Sequence, residues 1–173
     1  MFLKLIGSFL IIVATTFMGF YISWIFSEKV KQIRDIQFAL NQLESEIIYS
    51  SEPLYIAFNK VGNKFNGPLR NLFMDISEEL REHRMDTIYD TFIDCYDKTK
   101  DKFYFDEEEI EVIKNFIQGI GSSDFEGQKK NFNIAIKKLE DIEKKVDAKR
   151  KSNDKLIKYL GFSFGVVIVV MLF

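Results

Sequence analysis

The sequence predicts an all-α protein: a bundle of about six helices whose long first and last members continue into two transmembrane anchors. Three observations lead there. Apolar residues recur at steps of three and four along nearly the whole chain, the period of a helix face. No stretch alternates apolar and polar residues between turn signals as a strand would. Charge is confined as well. All 26 acidic residues, and all of the 24 basic ones except Lys4, lie between Glu28 and Lys158, so both ends are uncharged and apolar.

The first span is Leu5 to Phe26, 22 uncharged residues reading LIGSFLIIVATTFMGFYISWIF. As a helix it is roughly 33 Å long, against a hydrocarbon core of about 30 Å. The run is longer than a signal-peptide core and continues through Trp24, Ile25 and Phe26, which predicts a retained anchor with Tyr21 and Trp24 at the interface. Beyond it Val30, Ile33, Ile36, Leu40, Leu43 and Ile47 form one stripe, so the helix continues until Tyr49-Ser50-Ser51-Glu52-Pro53 stops it.

Pro53 suits the first turn of a second helix with Leu54, Phe58, Val61 and Phe65 on its face, ending at Asn66-Gly67-Pro68. A third starts at Pro68 and turns Leu69, Leu72, Phe73, Ile76 and Leu80 inward. The stripe breaks around Glu82 to Asp86 and resumes with Ile88, Phe92, Cys95 and Tyr96. Asp106 and Glu109 have the spacing of a capping box that opens a helix lined by Ile110, Ile113, Phe116, Ile117 and Ile120, with Gly119 and Gly121 as its stop. The last helix starts near Ser123 or Asp124, with Phe132, Ile136, Leu139, Ile142 and Val146 as its seam.

That helix is expected to run on into KYLGFSFGVVIVVMLF. Starting at Leu156, with Lys158 extending its ammonium to the headgroups, the apolar stretch reaches roughly 27 Å. Two spans put both termini on one side. Lys29, Lys31 and Arg34 after the first span, and Lys149, Arg150, Lys151, Lys155 and Lys158 before the second, put the middle region in the cytoplasm by the positive-inside rule. The expected organisation is an N-terminal anchor at 1–27, a cytoplasmic bundle at 28–156 and a C-terminal anchor at 157–173.

The chemistry expected of such a chain is meagre. His83 has no second histidine to build a zinc site with, Cys95 is a lone cysteine on an apolar stripe, and no phosphate-binding loop motif occurs. No catalytic group, metal, cofactor or small-molecule substrate is therefore expected, and a net charge of -2 gives no reason to expect nucleic acid. The carboxylates from Asp106 to Glu111 read as helix capping rather than as an acid–base pair.

Two features point to contacts instead. Asp86, Asp90, Asp94, Asp97 and Asp101 share one helix face, either a solvated face or a docking surface for a basic partner. Asp75 to Glu111 carries a net -9, and Lys129 to Lys158 a net +6. Inside the spans, Thr15 with Gly19 and Gly161 with Gly165 form small-residue pairs four apart. Such pairs let helix backbones approach, either joining the two spans or joining protomers, so a homo-oligomer is among the assemblies they permit.

The chain resembles the stage III sporulation protein AB family of endospore-forming bacteria. The resemblance rests on Met1 to Gly7, Ala14-Thr15-Thr16 with Gly19-Phe20, Gln32-Ile33-Arg34, Ala39-Leu40, Leu43 to Ile47 and Pro53-Leu54. It resumes at Gly119-Ile120-Gly121 with Asp124 and Gln128, and closes with Asn153 to Phe162. Lys29-Val30 stands where the family pattern has Arg-Pro, and Ser50 where it has glycine; Gly62 to Tyr104 carries little of the match. The resemblance implies a mother-cell protein acting during engulfment, part of a channel-like assembly between mother cell and forespore. It also implies a soluble region similar to the platform protein of type II secretion and type IV pilus systems, which meets a cytoplasmic secretion ATPase. The expected function is thus a non-enzymatic membrane scaffold, with the ATPase, other channel-assembly membrane proteins and the bilayer as partners. The alternative is a membrane-anchored signalling or tethering protein unrelated to secretion.

Overall fold

The structure, a computed structural model, describes residues 2–82, 86–121 and 124–172, with their side chains except at 2–5, 154–158, 161, 162 and 172. His83, Ser123 and the side chain of Lys158 lie outside the described residues. The described chain is helical throughout, with no strand among the described residues. α1 spans Phe2–Glu44 and passes into a π-helical turn, Ser45–Tyr49. α2 is Leu54–Gly62, α3 Pro68–Glu82, and α4 Ile88–Thr99, which a 3-10 turn at Lys100–Lys102 extends. α5 is Glu107–Gly119 and α6 Phe125–Leu172. The chain forms two compact units: Lys31–Glu143, the bundle unit, and Met1–Val30 with Lys144–Phe173, the terminal unit.

The bundle unit is organised around the α1 stripe. Ile33, Ala39 and Leu43 are fully covered and Ile36 and Leu40 nearly so. α2 contributes Ala57, Phe58 and Val61, and α3 contributes Leu69, Leu72, Phe73 and Ile76. Phe58 meets Phe73 edge-on at 5.2 Å, the arrangement the ring quadrupoles favour. α2 ends at Gly62, sooner than the expected Asn66-Gly67, and the chain turns at Asn63; a Cβ on Gly62 would lie 3.0 Å from the Phe73 Cβ, so α2 and α3 approach closely there. Phe65 is therefore outside the helix yet still reaches Phe38 at 5.8 Å and Phe73 at 6.5 Å.

The end of the α1 rod differs from its simple helical period. Ser50 N–H donates to the Ser45 carbonyl at 3.1 Å and Glu52 N–H to Glu46 at 3.0 Å, so the last turn is wide. A wide turn holds one residue more, and Ile48, 8% exposed, takes the inward place that the stripe assigns to Ile47. Ser51 then reverses the chain at φ 51°, a left-handed conformation that few residues other than glycine adopt. Lys60 of α2 closes the corner, its Nζ 2.6 Å from Glu52 and 3.2 Å from Glu46, and these hydrogen bonds raise its pKa.

Capping accounts for the next two starts. Thr87 accepts the Asp90 N–H at 3.1 Å to begin α4. Asp106 and Glu109 form the reciprocal box expected for α5, with Asp106 N–H 2.7 Å from the Glu109 carboxylate. Between these helices the chain is held by buried Phe103, whose ring lies 5.9 Å from Tyr96, and by Gln32. Its amide donates to the Lys102 carbonyl at 3.1 Å and accepts the Tyr104 N–H at 2.8 Å, filling both backbone positions as a neighbouring strand would.

At the other end of α5, Gly119 sits so close to α6 that an added Cβ would be 2.6 Å from Asn131 Nδ2. Asn131 in turn donates to the Phe116 carbonyl at 2.8 Å, and the Phe116 and Phe132 rings meet at 4.7 Å. Gly121 turns at φ 76°, and Asp124 accepts the Gly127 N–H at 3.0 Å to start α6. Arg34 of α1 holds Glu143 of α6 at 2.8 Å. The buried α6 residues of the bundle unit are Phe132, Ala135, Leu139 and Ile142, while Ile136 and Val146 of the expected seam are half-buried.

One helix among the described residues, Ile6–Tyr49, is long and apolar enough to cross a membrane, with mean hydropathy 2.0 in its most apolar window.

Replacing Gln32 leaves a backbone donor and acceptor without their partner. Gln32→Leu is expected to lower the stability of the full chain in detergent by about 1–2 kcal/mol in urea unfolding followed by circular dichroism, with Gln32→Glu, which keeps the acceptor, losing less.

Candidate functional site

The acidic face of α4 is the most concentrated polar surface that the sequence singles out. Asp86, Asp90, Asp97 and Asp101 are exposed and Asp94 is half-buried; Asp90, Asp94 and Asp97 lie on α4 itself, whereas Asp86 precedes its Thr87 cap and Asp101 falls in the 3-10 turn after it, so the five do not share the one continuous helix that their spacing predicts. Their charge is partly balanced at home. Lys98 bonds Asp94, Lys100 lies 3.3 Å from Asp97, and the Thr87 hydroxyl donates to Asp90 at 2.6 Å. Exposed pairs of this kind exchange readily and are worth little in stability, so the face keeps its negative character. α3 adds Glu78, whose neighbour Arg81 is 3.9 Å away.

An open groove of about 440 Å³ lies beside the start of α5, floored by Tyr96, Phe105 and Ile110 and edged by Asp106, Glu107 and Glu111. Asp106 is occupied in the capping box with Glu109, which is itself buried, so the carboxylate run here is used for helix initiation. No cluster of three histidine, cysteine, aspartate or glutamate side chains suited to a metal ion occurs among the described residues.

Cys95 is 1% exposed behind this face. Burial, with the Asp75 carboxylate adding to it, pushes its thiol pKa up to about 11. A thiol so held is protonated at physiological pH and packs as a small apolar group.

A second surface escaped the sequence pattern because its apolar member looks like a misplaced seam residue. On α6, Glu126, Lys129, Lys130, Asn133, Ile134 and Lys137 line one shallow crevice. Ile134 is 46% exposed at its centre, and Phe125 is 51% exposed at the helix start.

In the terminal unit the small residues meet. A Cβ on Gly165 would lie 2.3 Å from the Thr15 hydroxyl and 3.0 Å from the Ile12 Cα, so α6 lies against α1 with only a glycine's width between them. The Thr15 hydroxyl donates to the carbonyls of Ile11 at 3.0 Å and Ile12 at 3.1 Å, so it is satisfied within its own helix while facing Gly165. Gly19 is buried one turn further along α1, and Gly161 lies on α6 one turn before Gly165. Asp147, also in this unit, holds Arg150 at 2.8 Å and Lys151 at 2.7 Å, and Lys151 first among these keeps its carboxyl below the ordinary range.

The geometry has clear relatives. Residues 4–173 match the family model of Stage III sporulation protein AB. Stage III sporulation protein AB of Bacillus subtilis (strain 168) is 33% identical over 170 residues, covering 98% of this chain and 99% of that one. A solved structure of Stage III sporulation protein AB superposes with a TM-score of 0.67 at 28% identity, covering 72% of this chain and 98% of that one.

Two measurements check these placements. Maleimide labelling of Cys95 in the folded full chain is expected to be slow at pH 8 and fast once urea unfolds it. Because the folded thiol pKa lies above its ordinary value of 9.0, its contribution to stability is intact below pH 9 and is lost as pH rises toward about 11. Gly165→Leu is expected to force α6 away from Thr15 and to lower the thermal midpoint of the full chain in detergent by several degrees, with Val167→Leu, on an exposed position of the same helix, as a matched control.

Proposed function

The chain belongs to the stage III sporulation protein AB family, and from that premise we propose that it is a non-enzymatic scaffold of the channel assembly between mother cell and forespore. In this role it docks a cytoplasmic secretion-type ATPase and other channel proteins at the membrane. The single observation that carries the proposal is family membership over residues 4–173, joined to a helix that starts in an apolar span and ends in the bundle core.

The proposed arrangement is two-pass, with anchors at 1–27 and 157–173 and the bundle of 28–156 in the mother-cell cytoplasm. The basic residues around 29–34 and 149–158 support that side. The packing of Gly165 against Thr15 supports the second anchor, since two apolar helices that close up over small residues suit a lipid solvent. A scaffold reading also suits where the polar groups are spent: carboxylates in caps and ion pairs, the thiol buried and protonated. The acidic α4 face, Asp86 to Asp101, is the proposed protein-contact surface.

Deletion of the gene in its endospore-forming host is expected to leave engulfed forespores that fail to develop, as seen by microscopy, with rescue by the full chain. Normal forespores in the deletion strain would overturn the proposal. In the same strain, affinity capture of the tagged full chain is expected to retain the secretion-type ATPase.

A further inference from the structure

We propose that the acidic face of α4 in one copy receives the basic face of α6 in the next, so that copies join head to tail in the plane of the membrane. The inference deepens the proposed contact role of the α4 face by naming its partner as a second copy of this chain, and it takes the membrane anchoring from the same reading.

The α6 face needs a cover of opposite charge. Ile134 is a large apolar side chain left half exposed, and no carboxylate among the described residues pairs with Lys129, Lys130 or Lys137. An apolar centre ringed by lysines selects an acidic partner with an apolar stripe of its own. α4 has that composition, with half-buried Tyr89 and Ile93 beside Asp90 and Asp97.

Direction and register agree too. The end of α4 is held beside the start of α1 in the bundle unit by the bonds of Gln32 to Lys102 and Tyr104, and α6 reaches the same end where Glu143 meets Arg34. Both helices therefore run the same way, and α5 packs against each of them and so stands between them. A copy moved sideways without tilting brings the two faces together. Asp90 and Asp97 are one heptad apart, as are Lys130 and Lys137, so the two acids and the two lysines are spaced alike by about 10.5 Å. Asp90 then meets Lys130 and Asp97 meets Lys137, with Ile134 between them toward Ile93. The two surfaces differ, so the contact is heterologous and repeats from copy to copy into a ring or an open array.

Cross-linking in the bilayer tests this. The full chain carrying Asp90→Cys and Lys130→Cys is reconstituted in liposomes and oxidised, with the unsubstituted chain as the background for buried Cys95. The expected result is a ladder of dimers, trimers and longer species. Asp97 and Lys137 remain as the reporting pair: adding Lys137→Glu is expected to cut the ladder about tenfold, and adding Asp97→Lys to that chain to restore it. Circular dichroism verifies that each variant keeps its helicity. A ladder no greater than background, one that stops at dimers, or one indifferent to Lys137→Glu would overturn the proposal. Capture of the ATPase by an Asp97→Lys chain separates the two readings. Retained capture with a lost ladder supports self-assembly, whereas lost capture without any ladder in the parent gives the face to the ATPase and overturns it.

Discussion

The stripe on α1 has to be covered, and most of the bundle unit follows from that requirement. Ile33, Ile36, Leu40 and Leu43 sit on a helix that begins among apolar residues, and each is worth about 1.5–3 kcal/mol when removed from water. No single short helix can cover a stripe of that length. α2 and α3 cover it with Phe58, Leu72, Phe73 and Ile76, while Phe92 of α4 and Ile113, Phe116 and Ile117 of α5 complete a lining made only of apolar and aromatic side chains. The short helices depend on that surface, since pieces of 9 to 15 residues such as α2 to α5 have little stability alone.

The sequence pattern was legible where one local rule governs one local outcome. The stripes on α1, α3 and α5 and the capping box at Asp106 are of this kind: spacing alone brings the side chains together. It failed where the outcome depends on something distant. Gln32 is a half-buried amide with no pattern around it, and its role exists only because residues 102 and 104 arrive beside it from 70 and 72 positions away. Ile48 replaces Ile47 because a wide turn changes the count, and Gly62 is a place of close approach only because Phe73 of the next helix lies beside it. The acidic α4 face was visible as spacing, as were the lysines three and four residues away that share its charge, whereas the exposure of Ile134 among its lysines becomes apparent only with the helices in place.

Glycines show the same division of labour between the units. Gly119 in the bundle unit and Gly165 in the terminal unit do the same physical job, letting α6 come within reach of a neighbour that a side chain would repel. Gly119 adds a directional polar bond through Asn131, suited to water, whereas Gly165 meets a threonine whose hydroxyl is satisfied within its own helix, suited to a place without water.

The contact between Arg34 and Glu143 spans 109 residues of sequence, and it sets an order of events at the ribosome. At about 5–20 residues per second, α1 waits roughly 5–20 s after its own synthesis before α6 exists to pair with it. α2, α3 and α4, which pack on their sequence neighbours, are available to cover the stripe during that interval. Phe132, Leu139 and Ile142 of α6 then complete the core, Phe132 closing over Phe116.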